Sequence, residues 1–435
     1  MNPVVRFAYA AAGSLAEAAA AWAVPGGGKV RRSFSSRRGV ELRFTRWGRD
    51  RRDPARPLIW FHAPSVGEGL QARPVLESIR ARHPEFQLAY TYFSPSAESF
   101  AKALDVDFRD VLPFDTVGAA RTALDALRPA VLVFSKLDVW PTLVDEAQRR
   151  TIPLALLSAT LASGSSRSHG IAKLLLRDAY AALDAVGAIS RDDADRLVEL
   201  GCRPAAVRVT GDTRFDQVIA RARVVDRGSA LLRPLRSDRP TLVVGSSWPA
   251  DERELLPAIA ALHRSTPQLR TIIAPHEPTR AHLAPIAAWA SATGLGAATL
   301  GTPGAESADV VIVDRVGVLG ELYALADIAF VGGGFHAAGL HSVLEPATYG
   351  VPVLFGPRHR SSRDAGLLLA AGGARSLRGP DEIGAVIRAW IDDPQPRLAA
   401  GAAARHVVEA NAGATAQSVA LVEELAARAQ ATRER

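Results

Sequence analysis

The sequence has 435 residues, of which 48% are hydrophobic and 22% are charged, and this composition fits a globular protein large enough for two domains. Its single cysteine, Cys202, excludes an internal disulfide framework and a multi-cysteine metal site. The formal net charge of +7 favours anionic partners such as nucleotides, phosphosugars or an acidic membrane face. We expect no nucleic-acid partner.

The first 40 residues predict a segment associated with a membrane. Residues 4–24 are rich in alanine but are interrupted by Arg6 and Glu17, so they are a poor transmembrane span. A basic run over residues 29–38 follows. This pattern favours a helix that lies on or dips into an anionic cytoplasmic leaflet, while an ordinary packed helix and a solvated basic linker are the alternatives. The cations expected to contact lipid headgroups are Arg31, Arg32, Arg37 and Arg38.

Apolar runs of strand length alternate with helix-length segments from residue 58 onward. Such strands, apolar throughout, predict a parallel sheet covered by helices on both faces. The first strand precedes a turn at residues 65–69 and a helix over about 70–82. The predicted strands of this first sheet are residues 58–61, 87–92, 130–134, 154–157, 185–189 and 207–210.

A polar, arginine-rich interval over residues 220–239 separates this alternation from a second one. We therefore predict one domain over residues 41–220 and a second over 221–435, the latter ending in a helix over 414–435. Both are predicted to be Rossmann-like, with parallel sheets facing an interdomain cleft. The second set of strands is predicted at residues 241–244, 270–273, 310–313, 328–331 and 352–355.

Glu68 is the first candidate for chemistry. It follows a buried strand and lies between Gly67 and Gly69, with a helix beyond, so the carboxylate is expected at the carboxyl edge of a sheet. A base at this place can remove a proton from an acceptor hydroxyl. The alternative role, an acid that complements a helix dipole, is equally compatible with position alone.

A glycine run over Gly332, Gly333 and Gly334 ends a later strand. Glycines let the backbone approach a phosphate closely and present its amides. Residues 341–346 are expected to begin a helix whose N-terminus points at a phosphate, with Glu345 accepting hydrogen bonds from ribose hydroxyls. A glycine loop, an acidic helix start and the strand near residue 353 together indicate the nucleotide half of a GT-B glycosyltransferase.

Several motifs indicate which glycosyltransferase family the sequence is similar to. In their order along the chain, they resemble the motifs of the 3-deoxy-D-manno-octulosonic acid (Kdo) transferases. Residues 60–68, WFHAPSVGE, resemble the family's W-x-H-A-x-S-x-G-E motif, and 113–115 resemble its P-x-D. Trp140 and Pro141 match E-x-W-P, and 210–216 resemble G-N-x-K-F-D. Residues 327–346 resemble A-D-x-A-F-V-G-G followed by H-N-x-L-E. The resemblance extends from about Trp60 to Pro357.

The resemblance implies an inverting GT-B transferase at the cytoplasmic face of the inner membrane. Its domain over residues 41–220 would bind the acceptor, and its domain over 221–435 would bind the CMP-sugar. It would move Kdo from CMP-Kdo to a lipid A precursor without a further cofactor or a metal. Glu68 would be the general base, and Asp138 and Arg214 would support the transition state. The implied CMP-binding residues, together with the glycine run, are Ser246, Ser247, Pro275, His276, Val316, Gly317, Val318, Ser342, Val343, Leu344 and Glu345.

The sequence departs from the family pattern at several places, including Arg214, which stands in the lysine position of G-N-x-K-F-D. His276 stands where the family has arginine, and residues 316–318 read Val-Gly-Val instead of Met-Gly-Glu. Ser342 replaces an asparagine. Asp138 replaces a glutamate and is one methylene shorter, a difference of about 1 Å that can cost roughly a hundredfold in rate.

Two other functions are compatible with such a fold. One is a nucleotide-sugar 2-epimerase, which is a soluble isomerase. The other is a non-catalytic nucleotide-sugar-binding protein, suggested by the altered CMP segments. The S-x-G-E turn around Glu68 and the N-terminal pattern favour the transferase over both.

Overall fold

The computed structural model describes residues 28–433, together with Tyr9, Gly13 and Leu15. The helix expected at residues 4–24 therefore lies outside the described residues except at those three positions. Within the described range, no helix combines the length and the apolarity needed to cross a bilayer. The chain divides into two compact units, Met1–Asp216 with Ala412–Arg435, and Gln217–Asn411.

The first unit contains a parallel sheet of seven strands in the order β3-β2-β1-β4-β5-β6-β7. The strands are β1 Leu58–His62, β2 Gln87–Tyr92, β3 Phe108–Val111, β4 Val131–Ser135, β5 Leu154–Ala159, β6 Ala185–Ala188 and β7 Val207–Val209. The helices are α1 Lys29–Ser36, α2 Val40–Asp50, α3 Val66–Arg82, α4 Glu98–Lys102, α5 Val117–Leu127, α6 Pro141–Arg149, α7 Gly170–Ala181 and α8 Arg191–Leu200. The helix α9, Thr213–Arg223, begins in this unit and continues into the second.

The second unit repeats this architecture, with the parallel order β10-β11-β9-β8-β12-β13-β14. Its strands are β8 Thr241–Ser247, β9 Arg270–Pro275, β10 Ala297–Thr299, β11 Val310–Ile312, β12 Ile328–Val331, β13 Val353–Phe355 and β14 Ala374–Ser376. Its helices are α10 Pro249–Ser265, α11 Arg280–Ala292, α12 Leu319–Leu322, α13 Leu344–Thr348, α14 Arg363–Ala370, α15 Pro380–Asp392 and α16 Pro394–Ala410; α17, Ala414–Arg433, follows them in the chain.

The buried central strands are those that the apolar runs predict, and three of the four edge strands are missed by the pattern, while the edge strand β7 is predicted. Every residue of β1, β2, β4 and β5 is buried, because helices cover both faces of the sheet. The missed strands β3, β10 and β14 lie at sheet edges and leave polar or small residues exposed. A short, half-exposed edge strand has no continuous apolar run to reveal it.

The C-terminal helix belongs to the first unit, contrary to its predicted place at the end of the second domain. Side chains of α17, including Val419, Val422 and Leu425, are buried in the core of the first unit. Asp216 fixes the start of the helix, since its carboxylate accepts hydrogen bonds from the backbone N–H groups of Gly413 (2.6 Å) and Thr415 (2.7 Å). The division at Asp216 lies within α9, four residues before the predicted boundary.

Arg37 is not a surface cation, which corrects its predicted role at lipid headgroups. Its side chain is only 3% exposed, and its guanidinium lies 3.9 Å from the centre of the Phe93 ring. It also donates to the backbone carbonyls of Ser33 (2.8 Å) and Phe93 (2.9 Å). Burial lowers the pKa of Arg37 to about 10. Arg37 therefore ties α1 to the domain, while Arg31, Arg32 and Arg38 are exposed.

Candidate functional site

Both sheets have a topological switch point, where the strand order changes direction. In the first unit it lies between β1 and β4, and in the second it lies between β8 and β12. Open α/β sheets bind ligands beyond the carboxyl ends of the strands at such points. Glu68 follows β1, and the glycine run follows β12, so both candidate regions lie at a switch point of their own unit.

Glu68 lies in the first turn of α3, which begins at Val66 rather than near residue 70 as predicted. Its carboxylate accepts a hydrogen bond from the hydroxyl of Ser65 through Oε2, and Oε1 lies 3.3 Å from Nζ of Lys136. The hydroxyl of Ser135 donates to the backbone carbonyl of Glu68 at 3.1 Å. Groups at the ends of β1 and β4 thus hold Glu68 in one place.

Asp138 lies in the loop after β4 and interacts electrostatically with Glu68. Burial is the largest cause of its raised pKa, and the negative charge of Glu68 acts in the same direction, whereas Arg167 lowers it. Arg167 donates to Oδ1 of Asp138 at 3.1 Å and to the carbonyl of Leu137 at 2.8 Å. Asp138 is therefore held by an ion pair with Arg167, close enough to Glu68 for their charges to interact.

Arg214 is held by a carboxylate two residues before it. Its Nε and Nη2 atoms lie 2.9 and 2.7 Å from Oδ2 of Asp212. The other oxygen of that buried carboxylate, Oδ1, accepts from Gln71 at 3.4 Å, and Gln71 stands one helical turn after Glu68 on α3. The structure thus places Glu68, Asp138 and Arg214 beyond the carboxyl ends of strands in the first sheet.

The remaining motif residues of the first unit build the scaffold under this edge. Trp140 donates through Nε1 to Nε2 of the fully buried His62 at 3.0 Å, so the neutral ring carries its proton on Nδ1, 3.0 Å from Oγ1 of Thr91. Burial lowers the pKa of His62 to about 3. Asp115 accepts from the backbone N–H groups of Thr142 (2.9 Å) and Leu143 (2.8 Å), which caps α6.

The glycine run of the second unit is required by close backbone packing. A Cβ atom at Gly332 would lie 2.2 Å from the carbonyl oxygen of Ser246, and one at Gly334 would lie 2.4 Å from the nitrogen of Gly356. Gly333 has a φ of +92°, which favours glycine. These close approaches explain the three glycines without a ligand.

The amides of Gly332 and Gly333 are bound within the unit, contrary to the expectation that the run presents them to a phosphate. Gly332 donates to the carbonyl of Gly245 at 2.8 Å, and Gly333 donates to Oδ2 of the buried Asp251 at 2.7 Å. Asp251 also accepts from the backbone N–H groups of Trp248 (3.0 Å) and Phe335 (2.9 Å). The loop is therefore fixed to the start of α10.

Four other predicted residues meet where β8 and β9 end. Ser246 has a φ of +53°, and the hydroxyl of the buried Ser247 donates to Glu252 at 2.8 Å. His276, directly after the buried Pro275, donates its backbone N–H to the carbonyl of Ser247 at 2.9 Å. Ser247 therefore has its hydroxyl engaged inside the unit, while His276 has its ring partly exposed.

The segment from Ser342 to Glu345 differs from its predicted form. The helix α13 begins at Leu344 and has five residues, so its dipole is small and cannot be the expected phosphate site. Val343 and Leu344 are buried in the core, whereas Ser342 is exposed. Val316 is 75% exposed, Gly317 has a φ of +91°, and Val318 is half-buried.

Glu345 lines a cavity of about 300 Å³ in the second unit, a volume within the range of small-molecule sites. Its Oε1 lies 3.2 Å from Nη1 of Arg221. Burial raises the pKa of Glu345, and the charge of Arg221 lowers it to a smaller extent. Gly320 and Tyr349 complete the wall beside the carboxylate. Glu345 is therefore an acidic group on the wall of a cavity, paired with one cation.

Sequence reasoning missed five residues that hold the candidate side chains. Lys136 has a signal that could have revealed it, since it directly follows the apolar run of β4 and so stands at the same sheet edge as Glu68. Trp248 likewise directly follows β8. Ser65 also has a local signal, since it stands three residues before Glu68 in the S-x-G-E turn. Asp212 and Arg221 are fixed by contacts distant in sequence, which no local pattern reveals.

Comparison with solved structures defines the class of fold. UDP-GlcNAc 2-epimerase from Neisseria meningitidis, solved bound to UDP-GlcNAc, is similar to this chain with a TM-score of 0.60 at 14% identity; the match covers 85% of this chain and all of that one. This likeness shows the fold alone. Two parallel Rossmann-like sheets in one chain, each with its own switch point, place the protein in the GT-B class.

Comparison with characterised sequences then gives the family. The family model described as 3-Deoxy-D-manno-octulosonic-acid transferase (kdotransferase) matches residues 38–217. The 3-deoxy-D-manno-octulosonic acid transferase of Bordetella pertussis is 33% identical over 396 residues, which cover 88% of this chain and 90% of that protein. The one of Chlamydophila psittaci is 29% identical, with 79% of each chain covered. The chain belongs to the Kdo transferase family, and it is a glycosyltransferase.

Proposed function

We propose that the protein transfers Kdo from CMP-Kdo to a lipid A precursor, with inversion at the anomeric carbon. The observation that carries the proposal is the relationship to the Bordetella pertussis transferase across nearly the whole chain. The motif residues Glu68, Arg214 and Glu345 are all present, which supports the proposal. The likeness to epimerases is one of fold and does not favour that function.

In the proposed reaction Glu68 acts as the general base. An acceptor hydroxyl gives its proton to the carboxylate while its oxygen attacks the anomeric carbon of Kdo. The bond from that carbon to the phosphate oxygen breaks, and CMP leaves with the electron pair. A single displacement of this kind needs one positioned base and no covalent intermediate, and the fixed carboxylate of Glu68 fits that requirement.

Asp138 and Arg214 are proposed to support the transition state from the same edge. Asp138 is held by Arg167, and Arg214 is held by Asp212. Cationic and anionic groups that are already fixed need no reorganisation when charge develops on the substrate. The donor is proposed to bind in the second unit, with Glu345 on the ribose and with His276 and the segment at Gly317 near the nucleotide.

We further propose that exposed cations of the first unit bring it to the anionic cytoplasmic face of the inner membrane. Arg31, Arg32 and Arg38 are exposed, and on the following helix Leu42 is 75% exposed beside Arg46. Each such cation contributes on the order of 1 kcal/mol near an anionic surface. Flotation with vesicles of neutral or anionic lipid tests this, and equal binding to both vesicle types would contradict it.

The function is tested with purified protein, CMP-Kdo and tetra-acylated lipid A precursor, followed by mass spectrometry of the lipid. The expected product is the precursor with Kdo added, together with free CMP. CMP-N-acetylneuraminate, which carries a different sugar on the same nucleotide, serves as the matched control donor. Transfer from the control donor but not from CMP-Kdo would reject the proposed sugar.

A further inference from the structure

Two described residues of the N-terminal segment, residues 4–24, contact the scaffold of the candidate active site. The phenol of Tyr9 donates to Oδ2 of Asp115 at 2.8 Å. The backbone of Gly13 packs at the same place, because a Cβ atom on it would lie 3.3 Å from Cγ2 of Thr116 and 3.5 Å from the carbonyl oxygen of Asp115. Tyr9 and Gly13 are both helical, and a spacing of four residues puts them on one face of a helix. Both therefore dock on Asp115 and Thr116.

Asp115 connects this contact to the start of α6. The carboxylate is buried, and besides the phenol it accepts from the backbone N–H groups of Thr142 (2.9 Å) and Leu143 (2.8 Å). Burial is the largest influence on the pKa of Asp115 and raises it, whereas hydrogen bonds from Thr142, Tyr9 and Leu143 lower it. The phenol of Tyr9 thus helps to stabilise the charged carboxylate that caps α6.

The loop before α6 carries side chains of the candidate site. This loop, residues 136–140, connects β4 with α6. Its first residue follows a buried strand, and its last residue is followed by the helical turn that Asp115 holds. The loop is therefore fixed at both ends. Its members that bond to other parts of the site are Lys136, Asp138 and Trp140.

Tyr9 is also close enough to Asp138 for the charge of that carboxylate to act on the phenol. Burial is the largest cause that raises the pKa of Tyr9, followed by the charge of Asp115 and its hydrogen bond, and then by the charge of Asp138. A phenol with a raised pKa keeps its proton at neutral pH, so it remains a donor to Asp115.

We infer that Tyr9 is a positioning residue of the transferase: by donating to Asp115 it holds the start of α6 and the loop of residues 136–140 in the arrangement that transfer requires. The inference rests on the proposed function, since Kdo transfer is the reaction that depends on this arrangement. Tyr9 acts through Asp115 rather than on the substrate. The N-terminal segment then supports catalysis itself, apart from any contact with lipid.

The first test is the rate of Kdo transfer by Tyr9→Phe, measured in detergent micelles so that binding to a bilayer does not affect it. The variant keeps the ring and loses the hydroxyl. Its kcat should fall about tenfold, because a small misplacement of catalytic groups is costly, while KM for CMP-Kdo stays within about twofold. Tyr92→Phe, which removes a phenol hydroxyl at the end of β2, is the control and should keep the wild-type kcat.

A second variant separates the contact from the hydroxyl. Gly13→Leu keeps the phenol of Tyr9 but places a side chain against Thr116 and Asp115, so it should push the segment away and lower kcat to a similar extent. A merely structural role would lower the melting temperature of both variants and leave kcat, measured well below that temperature, unchanged.

Two further measurements show whether Tyr9 acts through Asp115. Tyr9→Phe combined with Asp115→Asn should lose less in kcat than the product of the two single losses, since both changes break the same hydrogen bond. Hydrogen exchange, read by mass spectrometry, should be faster in Tyr9→Phe for a peptide over residues 136–145. A peptide over β13 in the second unit should exchange as in the wild type.

A wild-type kcat in Tyr9→Phe would overturn the inference. Losses that simply multiply in the double variant, or unchanged exchange over residues 136–145, would do the same, because Tyr9 would then not act through Asp115. Failure of the proposed function gives a different result. In that case the wild-type protein itself forms no Kdo product, whereas failure of the inference alone leaves an active wild type and an equally active Tyr9→Phe.

Discussion

Nζ of Lys136 lies 3.3 Å from Oε1 of Glu68, so the candidate base of this enzyme is one half of an ion pair. Lys136 directly follows β4 and has a φ of +65°, a backbone conformation that costs energy for a residue with a side chain. The lysine is about two-fifths exposed, and the glutamate is mostly buried. Lys136 is therefore the more open partner of the pair, and Glu68 is the partner that the protein encloses.

We expect Glu68→Gln to abolish most of the transfer activity. The amide keeps the shape of the side chain but accepts no proton, and loss of a general base typically costs about 10²–10⁴-fold in rate. CMP affinity should stay within about twofold of wild type, since donor binding is assigned to the second unit. The measurement is kcat for Kdo transfer beside CMP titration.

The control is Glu77→Gln, on the exposed face of the same helix and paired with Arg73. It should leave kcat unchanged. A Glu68→Gln enzyme with near wild-type kcat would show that another group takes the proton.

Lys136→Met should lower kcat with little change in KM for either substrate. Removing the ammonium takes away one of the two side-chain partners of the Glu68 carboxylate, and a misplaced catalytic group can cost up to about a hundredfold in rate. Lys136→Arg should recover much of the loss, because it restores the charge. A purely structural role would give equal losses in both variants and a lower melting temperature.

Lys102→Met is the matched control, because Lys102 forms an exposed ion pair with Glu98 at 2.7 Å. Surface pairs of this kind contribute about 0–1 kcal/mol, so this variant should keep both activity and stability.

The position of Glu68 at the carboxyl end of a strand could be predicted from the sequence, and so could that of Lys136 after its own strand, but the contact between the two side chains could not. A buried run before Ser65 and a helical pattern after Gly69 are local signals, and they place the carboxylate at the end of β1. The partner Lys136 directly follows β4. That strand pairs with β1 although β2 and β3 come between them in the sequence. A contact that depends on strand order has no local signature.

In the second unit, too, the local feature could be predicted and the distant contact could not. The glycine run could be predicted to lie in a tight loop, because three glycines permit close backbone approach. That Asp251 would occupy the Gly333 amide depends on where α10 begins relative to β12, and this is decided by tertiary packing. The place of α17 in the first unit depends in the same way on Asp216 and on the buried Val419 and Val422.

We expect the stability of the first unit to depend on pH through His62. Its pKa is lowered to about 3 in the folded state, against an ordinary value of about 6.5, so between these values the unfolded chain binds a proton that the folded chain does not. The free energy of unfolding then falls as the pH falls, by up to about 1.4 kcal/mol per pH unit.

Urea unfolding of wild type and His62→Asn at pH 7.5 and pH 5.5 checks this expectation. The variant loses stability at both values, because Trp140 and Thr91 keep only part of their bonding. The difference in the free energy of unfolding between wild type and variant should become smaller as the pH falls, since asparagine does not titrate. A constant difference between the two proteins would contradict the neutral buried imidazole.

Glu345→Ala should weaken CMP binding and leave the chemical step at saturating donor almost unchanged. The carboxylate lines the cavity with Arg221 as its partner, so its removal takes away the proposed acceptor of the ribose hydroxyls and leaves the guanidinium unpaired. Hydrogen bonds to charged groups contribute about 1.5–3 kcal/mol, which corresponds to a loss of roughly tenfold or more in affinity. Glu409→Ala is the matched control, since Glu409 also pairs with an arginine, Arg405, but lies exposed on α16. CMP titration of both variants decides the assignment. If Glu345→Ala binds CMP as tightly as Glu409→Ala does, the ribose is bound elsewhere, and the cavity beside Arg221 is not part of the donor site.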